Sequence, residues 1–124
     1  IIFSQWDSML KLIKDVLEES KITYTSINGS YYTVNKRIRD FKINTNIRIA
    51  LLSSDKAASG LNLTEANHII LLDTLNADKE TARVIEEQAI GRSVRIGQNK
   101  QVNVKRFIMR NTIEHDYYVR NIEE

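Results

Sequence analysis

Gln88, Arg92 and Arg95 stand at i, i+4 and i+7 in the run Glu87-Gln88-Ala89-Ile90-Gly91-Arg92-Ser93-Val94-Arg95-Ile96-Gly97-Gln98. At about 100° per residue, this spacing places the three side chains within roughly 60° of arc on one helical face. Two guanidinium groups held side by side form a permanently charged, fork-shaped clamp for a single anion. Such a clamp suits the negative charge that spreads over a transferring γ-phosphoryl group. Gly91 lies beside them and leaves the backbone open to close approach. A solvated polar helix face is the plainer reading of the same spacing.

Two short polar pieces follow apolar, strand-like runs: Asn28-Gly29-Ser30, and Ser53-Ser54-Asp55-Lys56. An open α/β sheet collects its ligands at the carboxyl ends of its strands, so both pieces are placed to face a phosphate backbone. Asn28-Gly29 equally marks a tight turn. Asp73 ends another apolar run, but a lone carboxylate without a partner does not define acid–base chemistry, and it is left unassigned. His68 and His115 have no second histidine or cysteine placed to make a metal site, and both are read as structural. Tyr117 and Tyr118 are read as a packing pair, and Tyr31 and Tyr32 as loop aromatics that could stack on a base or cover the core, the core being the reading for all four.

The elements that must position these residues alternate. Strand-like runs occur at Ile1–Ser4, Ile22–Ile27, Ile47–Ser53, His68–Leu72 and Val102–Met109, each separated from the next by a segment of helical period or length. This order predicts an α/β domain with a mainly parallel sheet flanked by helices. Trp6, Leu10, Ile13 and Leu17 form one buried helical stripe, and Val34, Ile38 and Phe41 form a second, with Lys36, Arg37, Arg39 and Lys42 on its flanks and outer face. Ala82, Ile85 and Ala89 carry a third helix into the arginine run. Asn111 and Glu114 are spaced as a capping pair for the last helix.

Composition bounds the function classes. The 124 residues suit a single domain spanning 1–124, with 42% hydrophobic and 27% charged residues. No apolar run approaches the roughly 18 residues of a membrane helix, and no basic and apolar leader opens the chain, which points to an intracellular protein without a membrane partner. The absence of cysteine excludes disulfides and thiolate metal sites. A net charge of +2 favours nucleic acid only mildly. The chain starts without methionine in a strand-like run, as a fragment of a larger protein would.

The run from Gln88 to Gln98 resembles the last conserved helicase motif of Swi/Snf-type DNA-dependent ATPases, a branch of superfamily 2, whose spelling is close to QAxGRxHRIGQ. Leu51 to Thr64 resembles the preceding motif, with Gly60-Leu61-Asn62 at its end, and Ile1-Ile2-Phe3-Ser4-Gln5-Trp6 resembles the strand that opens the family's second motor lobe. The three stand in the family's order over nearly the whole chain. The resemblance implies a three-layer RecA-like fold and the role of C-terminal motor lobe in an ATP-dependent DNA translocase or remodeller. Arg92 and Arg95 would then be arginine fingers, with Gln88 ordering the same cleft. Gly60, Asn62 and Gly91 would face the nucleotide. Ser53, Ser54, Lys56, Asn28, Gly29 and Ser30 would contact double-stranded DNA without reading its sequence.

ATP and Mg2+ would be held mainly by an N-terminal RecA-like lobe of the same polypeptide, because this chain has no Gly-Lys-Ser/Thr phosphate loop and no acidic metal box. The lobe alone is therefore expected to be inactive. The implied location is the nucleus in a eukaryote and the cytoplasm in a virus or prokaryote. Ala57 and Ala58 replace a usual glycine pair, and Val94 replaces a usual histidine, which implies tuning rather than loss of the motor. Near Asn76 the usual tryptophan and proline are missing. The other readings of the chain are a free-standing nucleic-acid-binding module that has lost motor activity, and a superfamily 2 lobe acting on RNA.

Overall fold

The computed structural model describes residues 1–53 and 62–122. Five strands form one parallel sheet: β1 (Ile2–Ser4), β2 (Tyr24–Ile27), β3 (Ile49–Ser53), β4 (His68–Leu71) and β5 (Asn103–Arg106). Their spatial order is β2-β3-β1-β4-β5, so β1 lies at the centre and both its neighbours come from later in the chain. Ile2 is level with Leu51 on one side and with Ile70 on the other. Four helices accompany the sheet among the described residues: α1 (Asp7–Glu19), α2 (Tyr31–Ile43), α3 (Lys79–Gly91) and α4 (Ile113–Ile122).

The layers follow from the two-residue period of the strands. Phe3, Ile27, Ala50, Leu52, Ile69 and Leu71 point to one face, where Val34, Ile38 and Phe41 of α2 and Ala82 and Ala89 of α3 cover them. Ile2 and Leu51 point the other way and meet Leu10 and Leu17 of α1, with Ile13 partly buried beside them. Both faces of the central strands are thereby buried, as parallel sheets require. This is the three-layer α/β arrangement expected from the alternation of elements.

Some expectations are corrected. Trp6 caps α1 rather than joining its buried stripe, and it is half exposed. Tyr31 and Tyr32 are 86% and 73% exposed on the first turn of α2, because Val34, Ile38 and Phe41 already fill that helix's inward face. Tyr117 and Tyr118 are half-buried and packed under Arg120 and Arg106, whose guanidiniums lie 4.9 and 5.6 Å from the ring centres. Asn111 takes a left-handed backbone conformation, φ 58°, and forms no capping pair with Glu114, whose carboxylate is used elsewhere.

Candidate functional site

α3 begins with a cap made by Asp78, whose carboxylate accepts from the Thr81 amide and hydroxyl at 3.0 and 2.7 Å. These bonds hold the Asp78 carboxyl below its usual range. The helix then runs back along the sheet and stops at Gly91. Arg92 is its C-cap and Arg95 lies in the following turn, so the arginines do not share a continuous helical face with Gln88. Each is instead anchored to the backbone four residues earlier. Arg92 Nε donates to the Gln88 carbonyl at 2.7 Å, and Arg95 Nε donates to the Gly91 carbonyl at 2.9 Å.

Arg92 is buried and Arg95 and Gln88 are half-buried. Burial, and secondarily the nearby Arg95 charge, push the Arg92 guanidinium below its usual range. The Arg92 guanidinium remains a cation at neutral pH. Two cations held close enough to oppose each other's charge gain from an anion placed between them. A Cβ added at Gly91 would meet no atom within 4 Å, so the surface beside the arginines is open there.

This turn lies at the edge where the strands begin. The Leu63 amide donates to the Arg92 carbonyl at 2.9 Å, and Leu63 belongs to the approach to β4. Asn62 sits in that approach, exposed, with its side-chain oxygen accepting from the Thr64 amide at 3.1 Å. Gln88, Gly91, Arg92, Arg95 and Asn62 therefore belong to one region. Gly60 lies outside the described residues, as do Ser54, Lys56, Ala57 and Ala58.

The remaining predicted contacts lie at the opposite edge, where the strands end. Ile27 pairs with Leu52, so Asn28 emerges from β2 level with Ser53, the last residue of β3. Gly29 has φ +101°, a conformation costly for any residue with a side chain, and Ser30 caps α2 by accepting from the Thr33 amide at 3.3 Å. Arg37 locks the turn from outside: its Nη1 donates to the Ser26 carbonyl and to Asn28 Oδ1, both at 2.6 Å. Sequence reading placed Arg37 only on a helix flank. Its inward role depends on α2 folding back over the end of β2.

A second polar network fills the other half of this edge. The Ser4 hydroxyl donates to Asp73, whose other oxygen accepts from the Gln5 amide at 3.1 Å. The Gln5 side chain gives a hydrogen bond to the Thr74 carbonyl at 2.7 Å and takes one from the Asn76 amide at 3.1 Å. Glu114 accepts from the amides of Thr74 and Met109, both at 3.0 Å. The loops after β1, β4 and β5 are thus tied together, and Asp73 gains the partners its sequence position did not reveal. Burial pushes the Asp73 carboxyl up, and its bonds to Ser4 and Gln5 oppose that rise. The legible signal was a polar residue set directly after an apolar run, at Ser4 and at Asp73.

Among the described residues there is no cluster of three or more His, Cys, Asp or Glu side chains that could hold a metal ion. No helix among them is long and apolar enough to cross a membrane.

Comparison with known proteins agrees with this geometry. The helicase conserved C-terminal domain matches residues 1–97. An uncharacterized ATP-dependent helicase of Schizosaccharomyces pombe is 40% identical over 116 residues, which is 92% of this chain and 11% of that protein. The DNA repair protein RAD5 of Cryptococcus neoformans is 39% identical over 117 residues, 92% of this chain and 9% of that protein. The human chromatin-remodeling ATPase INO80 is 34% identical over 116 residues, 92% of this chain and 7% of its own length. The chain thus spans about a tenth of these relatives. The crystal structure of the C-terminal part of the Fun30 ATPase domain superposes with a TM-score of 0.89 at 25% identity, covering 99% of this chain and 39% of that one. The parallel RecA-like sheet, the arginine turn at its leading edge and these matches together show that the chain belongs to the helicase C-terminal domain family, as a second motor lobe of the Swi/Snf type.

Proposed function

We propose that this lobe supplies the arginine-finger half of an ATP site, and part of the DNA-backbone surface, in an ATP-dependent translocase or remodeller. The observation that carries the reading is the anchoring of Arg92 and Arg95 to the carbonyls of Gln88 and Gly91, which fixes both cationic side chains to one turn. Preorganised charge of this kind stabilises a transition state without reorganising at the moment of reaction. Gln88 and Asn62 border the pair, Gly91 leaves room for the nucleotide, and Gly60 joins them on the strength of its motif alone.

ATP brings the scissile phosphoanhydride, and Mg2+ belongs with an N-terminal lobe that carries the phosphate loop. The residues here suit the negative end of such a nucleotide, and among the described residues there is no acidic cluster for its metal. Asn28, Gly29, Ser30 and Ser53, together with Ser54 and Lys56, would touch a double-stranded DNA backbone through amides, hydroxyls and one ammonium. Contacts of that type position a strand without reading bases. The relatives named for DNA repair and chromatin remodelling support DNA over RNA as the partner.

Single Arg92→Ala and Arg95→Ala variants of the full-length protein test the reading. DNA-stimulated ATP hydrolysis should fall by about 10³-fold or more in each, with DNA affinity retained. Lysine should rescue poorly, because a point charge does not reproduce the planar fork. Near-parental hydrolysis in both alanine variants would overturn the proposal, as would a loss of activity that merely tracks unfolding.

A further inference from the structure

Three of the five tyrosines are held by other side chains. The Tyr24 hydroxyl donates to Glu18 at 2.7 Å, and the rings of Tyr117 and Tyr118 lie under Arg120 and Arg106. Tyr31 and Tyr32 are different. Both rings stand in solvent on the first turn of α2, and neither hydroxyl makes a hydrogen bond among the described residues. The backbone that presents them is fixed all the same. Gly29 makes the preceding bend, Ser30 caps the helix, Arg37 braces Ser26 and Asn28, and Val34, Ile38 and Phe41 bury the inward face of α2. A ligand that covers the two rings therefore has little backbone to order.

The charge around them has one sign. From Ser20 to Arg39 the chain carries Lys21, Lys36, Arg37 and Arg39 and no acidic residue. At β2, an edge strand of the sheet, Lys14, Asn28 and Arg37 line a cleft of about 330 Å³ with Tyr24, Thr25 and Ser26. Arg37 spends only Nη1 on the turn, and among the described residues its Nε and Nη2 donate to nothing. Exposed aromatic rings set among cations, with no carboxylate between them, are how proteins hold single-stranded nucleic acid: the rings take bases and the cations take phosphates.

We propose that Tyr31 and Tyr32 form a stacking platform for unpaired DNA bases, with the cleft between Lys14 and Arg37 holding phosphates of the same strand. The inference rests on the reading of the Asn28–Ser30 turn as a DNA-backbone contact and adds a contact to bases. Within a duplex each base is covered on both faces by its neighbours, so a tyrosine ring can stack only where a strand is single or locally unpaired. Every base has a π-face, and the platform therefore favours unpaired DNA without favouring a sequence. A protein surface apolar enough to cover the rings would have to strip water from the cations beside them, whereas one DNA strand satisfies both.

The test uses the full-length protein and three probes: oligo-dT, an abasic strand of the same length and charge, and a duplex. The parent should bind oligo-dT about tenfold or more tighter than the abasic strand, and Tyr31→Ala combined with Tyr32→Ala should erase most of that ratio. Tyr31→Phe combined with Tyr32→Phe should keep it, because the ring and not the hydroxyl makes the contact. The melting temperature of each variant should stay parental, since both side chains lie outside the core. Iododeoxyuridine placed in the oligo-dT should photocrosslink to Tyr31 or Tyr32. A parental ratio in the double alanine variant would overturn the inference, and so would an equal loss on oligo-dT and on the abasic strand, which would mark a backbone contact. Arg37→Ala reports separately on the backbone surface. Weaker binding of all three probes in Arg37→Ala, beside a parental double alanine variant, would remove the stacking platform and leave the backbone reading standing. Parental binding in both would remove the two together.

Discussion

The Leu63 amide binds the Arg92 carbonyl at 2.9 Å, and Leu63 itself is completely buried. The segment entering β4 and the arginine turn therefore form one rigid unit, although 29 positions separate them in the numbering. Whatever moves the approach to β4 also moves the arginines. At the other edge, the Asn28–Ser30 turn is braced separately by Arg37.

The isolated chain should not turn over ATP, with or without DNA. It has no Gly-Lys-Ser/Thr and no acidic metal box, and so it lacks the groups that bind the β-phosphate and the metal. A phosphate-release assay on the purified chain should stay at background. Turnover at about 1 s⁻¹ or faster, the low end for enzymes, would contradict the half-site assignment.

DNA binding should be indifferent to sequence and steeply dependent on salt. The assigned contacts are hydroxyls, amides and a few cations at a phosphate backbone, and each neutralised phosphate releases counterions. Fluorescence anisotropy with two unrelated duplexes should give equal affinities that fall together between about 50 and about 200 mM salt. A preference for one duplex that survives high salt would indicate base readout.

Gly29→Ala and Gly91→Ala should shift stability in opposite directions. At Gly29, φ is +101° and the new Cβ would sit 3.4 Å from the Thr33 side chain, so alanine should cost about 1–2 kcal/mol. Gly91 is helical and its missing Cβ faces open space, so alanine there should stabilise by about 0.5–1 kcal/mol. Chemical denaturation of the two variants measures both effects. If Gly91 serves the nucleotide cleft, its alanine variant will be the more stable protein and the slower enzyme.

Asp73 should make stability fall as pH rises above the ordinary aspartate range. Its folded pKa is raised, chiefly by burial, so between the unfolded value and the folded one the native state holds a proton that the unfolded chain has released. Stability that depends on this proton is complete below the unfolded pKa and is lost as pH climbs through the folded pKa. Urea midpoints measured across that window should show the decline in the parent relative to Asp73→Asn, which cannot titrate. Parallel curves for the two proteins would remove Asp73 from the account.

Local pattern was enough to read the kind and order of the elements. The alternation in Ile2-Phe3 and Leu51-Leu52 splits each strand between two cores, and Val34, Ile38 and Phe41 mark the inward face of α2, because burial repeats with the period of the backbone itself. The arginine run was legible for a similar reason, since its residue types carry their chemistry wherever the chain takes them. Only the tertiary structure decided that the helix stops at Gly91, that the arginine turn and the Asn28–Ser30 turn occupy opposite edges, and that Tyr31, Tyr32 and Trp6 face outward. It alone joined Ser4 to Asp73 and Glu114 to Thr74, pairs 69 and 40 residues apart. Those contacts exist because β4 lies between β1 and β5, and strand order is a property of how separate apolar faces pack together, which no stretch of local periodicity contains.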